Sequence, residues 1–115
     1  MSASAVDTAT FTELQEAAGA EFVAELVATF LEEAPGMLAD LRGAREAGDG
    51  ERFRRAAHSL KSNGQTFGAL ALGNMARELE LRGLHVQPAQ DAAALDALDV
   101  GYAQAAAALK ELSRG

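Results

Sequence analysis

The chain has 115 residues and a formal net charge of −7, a length that suits one domain with a single hydrophobic core. It contains no cysteine, which excludes disulfides, thiolate metal sites and cysteine nucleophiles. The negative charge argues against nucleic acid as a general partner, because binding to phosphates requires a basic surface. We therefore expect a single domain over residues 1–115, with residues 1–7 disordered.

The N-terminal sequence MSASAVDTAT has neither the basic nor the apolar run of a signal peptide. No stretch approaches the roughly 20 apolar residues that a membrane span needs. These features predict a cytoplasmic protein without membrane contact, and we expect it to be a monomer.

Alanine and leucine dominate and no segment alternates with a period of two, so the sequence predicts an all-α fold. Thr10 and Glu13 have the spacing of a capping box, which opens a short first helix that ends near Gly19. A second helix is predicted from about residue 21 to residue 33. The Pro35-Gly36 pair is predicted to break or kink the chain before the next helix.

Three more helices follow a turn at Asp49-Gly50. They are predicted over about residues 51–65, over about residues 69–82, and from Pro88 onward, since proline suits the first turn of a helix. The apolar residues of the last helix recur at spacings of three and four, as in a bundle: Leu95, Leu98, Tyr102, Ala105, Leu109 and Leu112. Short loops between amphipathic helices predict an up-down antiparallel four-helix bundle with a short additional N-terminal helix.

Charge is distributed unevenly along the chain. All 17 acidic residues lie at or before Glu51 or at or after Glu78. The segment between them carries only basic charges: Arg52, Arg54, Arg55, Lys61 and Arg77. Such a run is either an ordinary solvated face or a surface that binds anions.

His58 lies on the outward face of the helix predicted over residues 51–65. At about 100° per residue, the apolar side chains of this helix cluster on the opposite, core-facing side. Four polar side chains fall within about 60° of His58: Arg54, Lys61, Ser62 and Gln65. Cations four residues before and three residues after a histidine can attract and hold a dianionic phosphoryl group.

Side chains on a helix lean toward its N-terminus, so Ser62 overlies His58 and Lys61 leans toward it. Serine is small enough to leave the imidazole accessible. Gln65 either donates a hydrogen bond to a phosphoryl group or obstructs docking, and the sequence leaves both interpretations open.

The run AAHSLKSNGQTFGALAL resembles the signature of histidine-containing phosphotransfer (HPt) domains, A-H-x-[hydrophobic]-K-[G or S] followed by a hydrophobic residue and glycine. The matching positions are Ala57, His58, Leu60, Lys61, Ser62, Phe67 and Gly68. Ser62 departs from the commonest residue there, which is glycine. The TFG ending is also similar to the phosphotransfer domain of chemotaxis histidine kinases. With the preceding helical hairpin and Leu79-Glu80, the resemblance covers about residues 7–83.

The resemblance implies a phosphorelay intermediate. His58 would accept a phosphoryl group from a receiver-domain aspartyl phosphate or a histidine kinase and pass it to another receiver aspartate. The domain would be a carrier without catalytic activity, cofactor or metal of its own, and Mg²⁺ would lie on the partner receiver. The residues expected to stabilise the phosphoryl group or control access to it are Lys61, Ser62, Gln65, Arg54 and Gly68.

Glu80 has two interpretations. It matches a glutamate that orients the imidazole through a hydrogen bond in the chemotaxis kinase relatives. The other interpretation, which we favour at this point, is an ordinary solvated acid. The predicted second helix also has two interpretations, because its apolar residues span about 200°. Either the helix is buried between neighbours, or Phe22 and Leu26 form an apolar patch on which the receiver docks beside His58. His85 is expected to be a loop residue and not a metal ligand.

Two alternative functions remain. A helical scaffold or adaptor that binds signalling proteins without phosphoryl chemistry would explain the bundle, but not a histidine flanked by cations. An enzyme with His58 as general base would need a cleft and a partner nucleophile, and the sequence offers neither.

Overall fold

The computed structural model of the protein describes residues 5–84 and 88–114. This part of the chain forms five helices and no strand, which confirms the all-α prediction. The helices are α1 (Thr8–Ala18), α2 (Ala20–Ala47), α3 (Gly50–Thr66), α4 (Leu70–Arg82) and α5 (Pro88–Arg114). Within the described ranges, no helix is long and apolar enough to cross a membrane.

The start of α1 lies earlier than the capping box predicts. Asp7 is the N-cap, and its carboxylate accepts hydrogen bonds from the backbone N–H (3.2 Å) and the hydroxyl (2.5 Å) of Thr10. Val6 is fully buried, and the N–H of Asp7 donates to the carbonyl of Gly68 at 2.7 Å. The expected disorder of residues 1–7 is therefore wrong for residues 5–7, because an apolar anchor and a cap hold them; residues 1–4 lie outside the described residues.

The predicted break at Pro35-Gly36 is wrong, because α2 continues through both residues. Proline has no N–H, so the carbonyl of Leu31, four residues earlier, loses its helical donor. The hydroxyl of Tyr102 on α5 lies 3.5 Å from that carbonyl oxygen and donates to it. Pro35 itself is exposed. A contact from another helix thus partly offsets the bond that proline removes.

α3 lies between α2 and α4 and presents one apolar face to the core. Asp49 caps its N-terminus by accepting a hydrogen bond from the N–H of Arg52 at 3.1 Å. Arg52 also binds Asp40 of α2 at 2.9 Å, whereas the ring of Phe67, just past the other end of α3, lies 5.6 Å from that of Phe30. α2 and α3 therefore run in opposite directions.

Two glycines bring α3 and α4 close together. A Cβ atom on Gly64 would lie 3.0 Å from the backbone nitrogen of Gly73, which is tighter than most Cβ contacts in proteins. Glycine at this position therefore favours such an approach of the two backbones. From this contact α4 runs back along α3, which brings Glu80 level with His58.

α5 completes the structure by packing against α2 and α4. Its buried residues join those of the other four helices in one hydrophobic core. The predicted apolar stripe of the last helix is present: Leu95, Leu98, Ala105 and Leu109 are buried, and Tyr102 and Leu112 are partly buried.

Candidate functional site

His58 lies on the outward face of α3, as the helical periodicity predicts, and its side chain is 57% exposed. Its neighbours Ala57 and Leu60 are fully buried on the inner face. One side of the imidazole is nevertheless held by a hydrogen bond, because its Nδ1 lies 2.8 Å from Oε2 of Glu80 on α4. The ring is therefore both accessible and held.

Glu80 bridges two basic side chains of α3. Its second carboxylate oxygen, Oε1, lies 2.9 Å from Nζ of Lys61, and only 20% of its side chain is exposed. The interpretation of Glu80 as a solvated acid is wrong, because the close approach of α3 and α4 places it against both groups. The ion pair with Lys61, followed by the hydrogen bond with His58, lowers the pKa of the Glu80 carboxyl group from its ordinary value of 4.5.

The ionised carboxylate of Glu80 fixes the tautomer of the neutral imidazole. An ionised carboxylate can only accept hydrogen bonds, so the neutral ring carries its proton on Nδ1. Nε2 is then the unprotonated nitrogen, with its lone pair available for attack on an electrophile. The arrangement thus selects one tautomer and one reactive atom.

A shallow depression opens beside His58. It is lined by Arg54, Arg55, His58, Ser59 and Glu80. Lys61 is not among the lining residues; it is mostly buried, with 22% of its side chain exposed. The structure thus places the two arginines, and not the lysine, around the open space next to the ring.

The remaining predicted access residues occupy different places. Ser62 is exposed on the same face of α3. Gln65 is also exposed, but its Cγ leans toward α4, where it would lie 3.2 Å from a Cβ atom built on Gly73. Gly68 lies in the turn after α3, with φ +81°, and a Cβ atom there would lie 2.8 Å from the carbonyl oxygen of Asp7. The packing of α1 onto this turn explains the glycine, which takes no part in the cluster around His58.

The predicted docking residues lie far from the histidine. Phe22 is 52% exposed and Leu26 is partly buried on the first turns of α2. Phe30 contacts Phe67, nine residues after His58, and Phe22 lies eight residues further in the same direction. At about 1.5 Å per residue, Phe22 is roughly 25 Å from the level of His58. The antiparallel course of α2 therefore separates this patch from the site.

The sequence does not predict the pairing of Lys61 with Glu80 or the position of Ser59 in the depression. Local sequence does not indicate which residues of two different helices pair with each other. The signal that was present is the pair of small residues, Gly64 and Gly73, which allows α3 and α4 to approach. No group of three His, Cys, Asp or Glu side chains that could hold a metal occurs among the described residues, and His85 lies outside them.

An exposed histidine on a helical surface, set among cations and with the tautomer of its neutral ring fixed, is an arrangement typical of helical proteins that carry phosphoryl groups. The comparisons with known proteins specify the family. The Hpt domain family matches residues 25–114, and the chain belongs to this family. Hpt domains are phosphocarriers rather than catalysts.

The structure is similar to the crystal structure of histidine-containing phosphotransfer protein B (HptB) from Pseudomonas aeruginosa PAO1. The TM-score is 0.84 and the sequence identity 28%, and the alignment covers 98% of this chain and 97% of that chain. None of the curated proteins matches this chain. The family and the structural match together show a phosphotransfer role in phosphorelay signalling.

Proposed function

We propose that His58 is the phosphoryl acceptor of this phosphorelay protein. The observation that carries the proposal is the 2.8 Å contact between Nδ1 and Glu80 on an otherwise exposed ring. Glu80 is correspondingly the residue that orients the imidazole. The donors are a receiver-domain aspartyl phosphate or a histidine kinase, and the acceptor of the next step is the aspartate of another receiver.

In this mechanism Nε2 of neutral His58 attacks the phosphorus in line. A P–N bond forms while the P–O bond to the aspartyl carboxylate breaks, and the carboxylate leaves with the bonding electrons. The ring keeps its Nδ1 proton and becomes a phosphoimidazolium, whose positive charge is compensated by Glu80. Transfer to the next receiver reverses these steps, so no proton has to be delivered or removed.

The same proposal describes a carrier without catalytic activity or cofactor of its own, with Mg²⁺ supplied by the receiver. It acts as a monomeric single domain. Its finer architecture is an up-down antiparallel four-helix bundle of α2–α5 with α1 as the N-terminal addition. Besides the contacts between α2 and α3, three contacts support this architecture. His58–Glu80 and Gly64–Gly73 join α3 to α4, and Arg82–Asp91 joins α4 to α5.

Receiver docking is expected around Leu81. This side chain is 70% exposed and follows Glu80 directly in α4, so it lies next to the His58 cluster. A standard interface buries about 800 Å² per partner, which corresponds to a patch roughly 16 Å in radius. A patch of that size centred on His58 reaches Leu81 but not Phe22.

Two matched substitutions test the docking surface. Leu81→Ser is expected to slow transfer from a phosphorylated receiver about tenfold, and Phe22→Ser is expected to leave the rate unchanged. Both remove a large exposed apolar side chain. Transfer that depends on Phe22 and not on Leu81 would contradict the proposed surface.

The acceptor itself is tested with His58→Gln, which retains a polar side chain at an exposed position. Purified protein is incubated with a phosphorylated receiver, and the product is assayed for acid-labile phosphate. The wild type is expected to become phosphorylated, whereas the variant is not, with equal melting temperatures. A wild type that binds the receiver and never gains phosphate would favour the scaffold alternative.

A further inference from the structure

The cations near His58 fall into paired and unpaired groups. Arg52 binds Asp40 at 2.9 Å, and Lys61 binds Glu80 at 2.9 Å. Arg54 and Arg55 are both exposed, and neither forms an ion pair within residues 5–84 and 88–114. Two positive charges beside the histidine thus lack a compensating carboxylate.

The unpaired charges share one space with the reactive ring. Arg54 and Arg55 line the depression together with His58, Ser59 and Glu80. A helical side chain leans toward the N-terminus, so the ring of His58 extends over the turn that holds both arginines. The only carboxylate in the lining belongs to Glu80, and its two oxygens are occupied by Nδ1 of His58 and Nζ of Lys61.

Lys61 occupies a different position. Its ammonium group is held on Glu80, and most of the side chain is covered. Its contact with Glu80 is the one that contributes most to the lowered pKa of that carboxyl group. The contact fixes the carboxylate that in turn fixes the ring.

We propose that Arg54 and Arg55 form the anion site that receives the phosphoryl group on His58, and that Lys61 is a positioning residue that acts through Glu80. The inference rests on the proposed function and assigns phosphoryl binding and positioning to different cations of the site. It differs from the expectation from the sequence, in which Lys61 stabilises the phosphoryl group together with Arg54.

The chemistry of the groups fits this division. A guanidinium presents a planar fork of N–H donors that matches the oxygens of a phosphoryl group in bidentate fashion. Arginine also stays charged at every accessible pH. An ammonium group on a flexible chain suits the task of holding a single carboxylate.

The test uses a small phosphoryl donor, phosphoramidate, so that no docking surface takes part. Nε2 of His58 attacks the phosphorus, the new P–N bond forms as the old one breaks, and ammonia leaves with the bonding electrons. Inorganic phosphate serves as the binding probe for the unphosphorylated protein, monitored by amide chemical shifts. The ¹⁵N shifts of the His58 ring report its tautomer.

The variants are the double substitution Arg54→Gln with Arg55→Gln, the single substitution Lys61→Gln, and Arg52→Gln as the control. Arg52→Gln removes the same type of charge from the same helix, but from a guanidinium already bound to Asp40. The double variant is expected to lower phosphate affinity and the phosphorylation rate roughly tenfold, with the ring tautomer unchanged. Lys61→Gln is expected to leave phosphate affinity within about twofold and to shift the ring ¹⁵N signals, and Lys61→Arg is expected to restore them.

Loss of phosphate binding in Lys61→Gln but not in the double variant would overturn the inference. An equal loss in Arg52→Gln would overturn it as well, because the effect would then follow net charge alone. Circular dichroism confirms folding of each variant. Failure of the proposed function has a separate signature, since the wild type would then gain no more phosphate from phosphoramidate than His58→Gln.

Discussion

Two charge clusters join helices of this protein, with opposite signs at their centres. In one, Glu80 of α4 lies between two bases of α3, His58 and Lys61. In the other, Arg42 of α2 lies between two acids of α5, binding Asp96 at 3.0 Å and also binding Asp99. The second cluster raises the pKa of the Arg42 guanidinium, chiefly through the hydrogen bond with Asp99.

The difference between the clusters lies in the chemistry of their members. In the Arg42 cluster both carboxylates are bound to the guanidinium, and the cluster holds α2 against α5. The Glu80 cluster includes an imidazole, whose neutral form is nucleophilic at Nε2 when its Nδ1–H is bound. Two clusters of similar geometry thus differ in that one of them holds an exposed imidazole.

The largest effect is expected from Glu80→Ala, which leaves His58 and Lys61 in place but removes the group that orients the ring. Misplacement of a reacting atom by about 1 Å can cost up to a hundredfold in rate. Phosphoryl transfer to His58 is expected to slow by roughly ten- to a hundredfold, as measured by the initial rate of phosphate incorporation. Glu80→Gln retains an acceptor oxygen and is expected to fall between the wild type and Glu80→Ala.

Arg42→Met is the corresponding change in the other cluster. It keeps the aliphatic part of the side chain and removes the charge, so the expected effect is on folding alone. Pairs this exposed contribute less than about 1 kcal/mol each, and unfolding in urea is expected to show a loss of about that size. A change in the phosphorylation rate comparable to that of Glu80→Ala would contradict the separation of roles.

The smallest effect is expected in the dependence of the unfolding free energy on acidic pH. Because the folded-state pKa of Glu80 lies below 4.5, its ion pairs contribute stability that is complete above the unfolded value and is lost as pH falls through the folded value. The difference in unfolding free energy between wild type and Glu80→Gln is thus expected to be constant from neutral pH down to about 4.5 and to shrink below it. A difference that grows in acid would show that the pKa shift has the opposite sign.

Much of the site could be predicted from the sequence. Helical geometry fixes which residues share a face, so the outward position of His58 and the neighbouring Arg54 and Ser62 follow from spacing alone. The motif around His58 added the chemistry. The predicted face of Lys61 is correct, but its ion pair with Glu80 is not predicted, since that partner lies on another helix.

The errors share a cause. Pro35 is predicted to interrupt a helix because local rules omit Tyr102, 67 residues away, which donates to the carbonyl that proline leaves free. Phe22 and Leu26 are predicted to lie beside His58 because helical periodicity gives the direction of a side chain around the axis but not its height along the neighbouring helix. Glu80 is expected to be solvated because its partners, His58 and Lys61, lie on a different helix and are not evident from the local sequence.

By itself, the sequence determined the helical class, the approximate extent of most helices and the outward face of α3, because these depend on contacts within about four residues. Only the tertiary structure decided the axial register between helices. The close approach of Gly64 and Gly73 sets that register for α3 and α4. It brings a carboxylate from α4 to Nδ1 of His58, and this contact between distant parts of the chain leaves Nε2 as the reactive nitrogen of the exposed histidine.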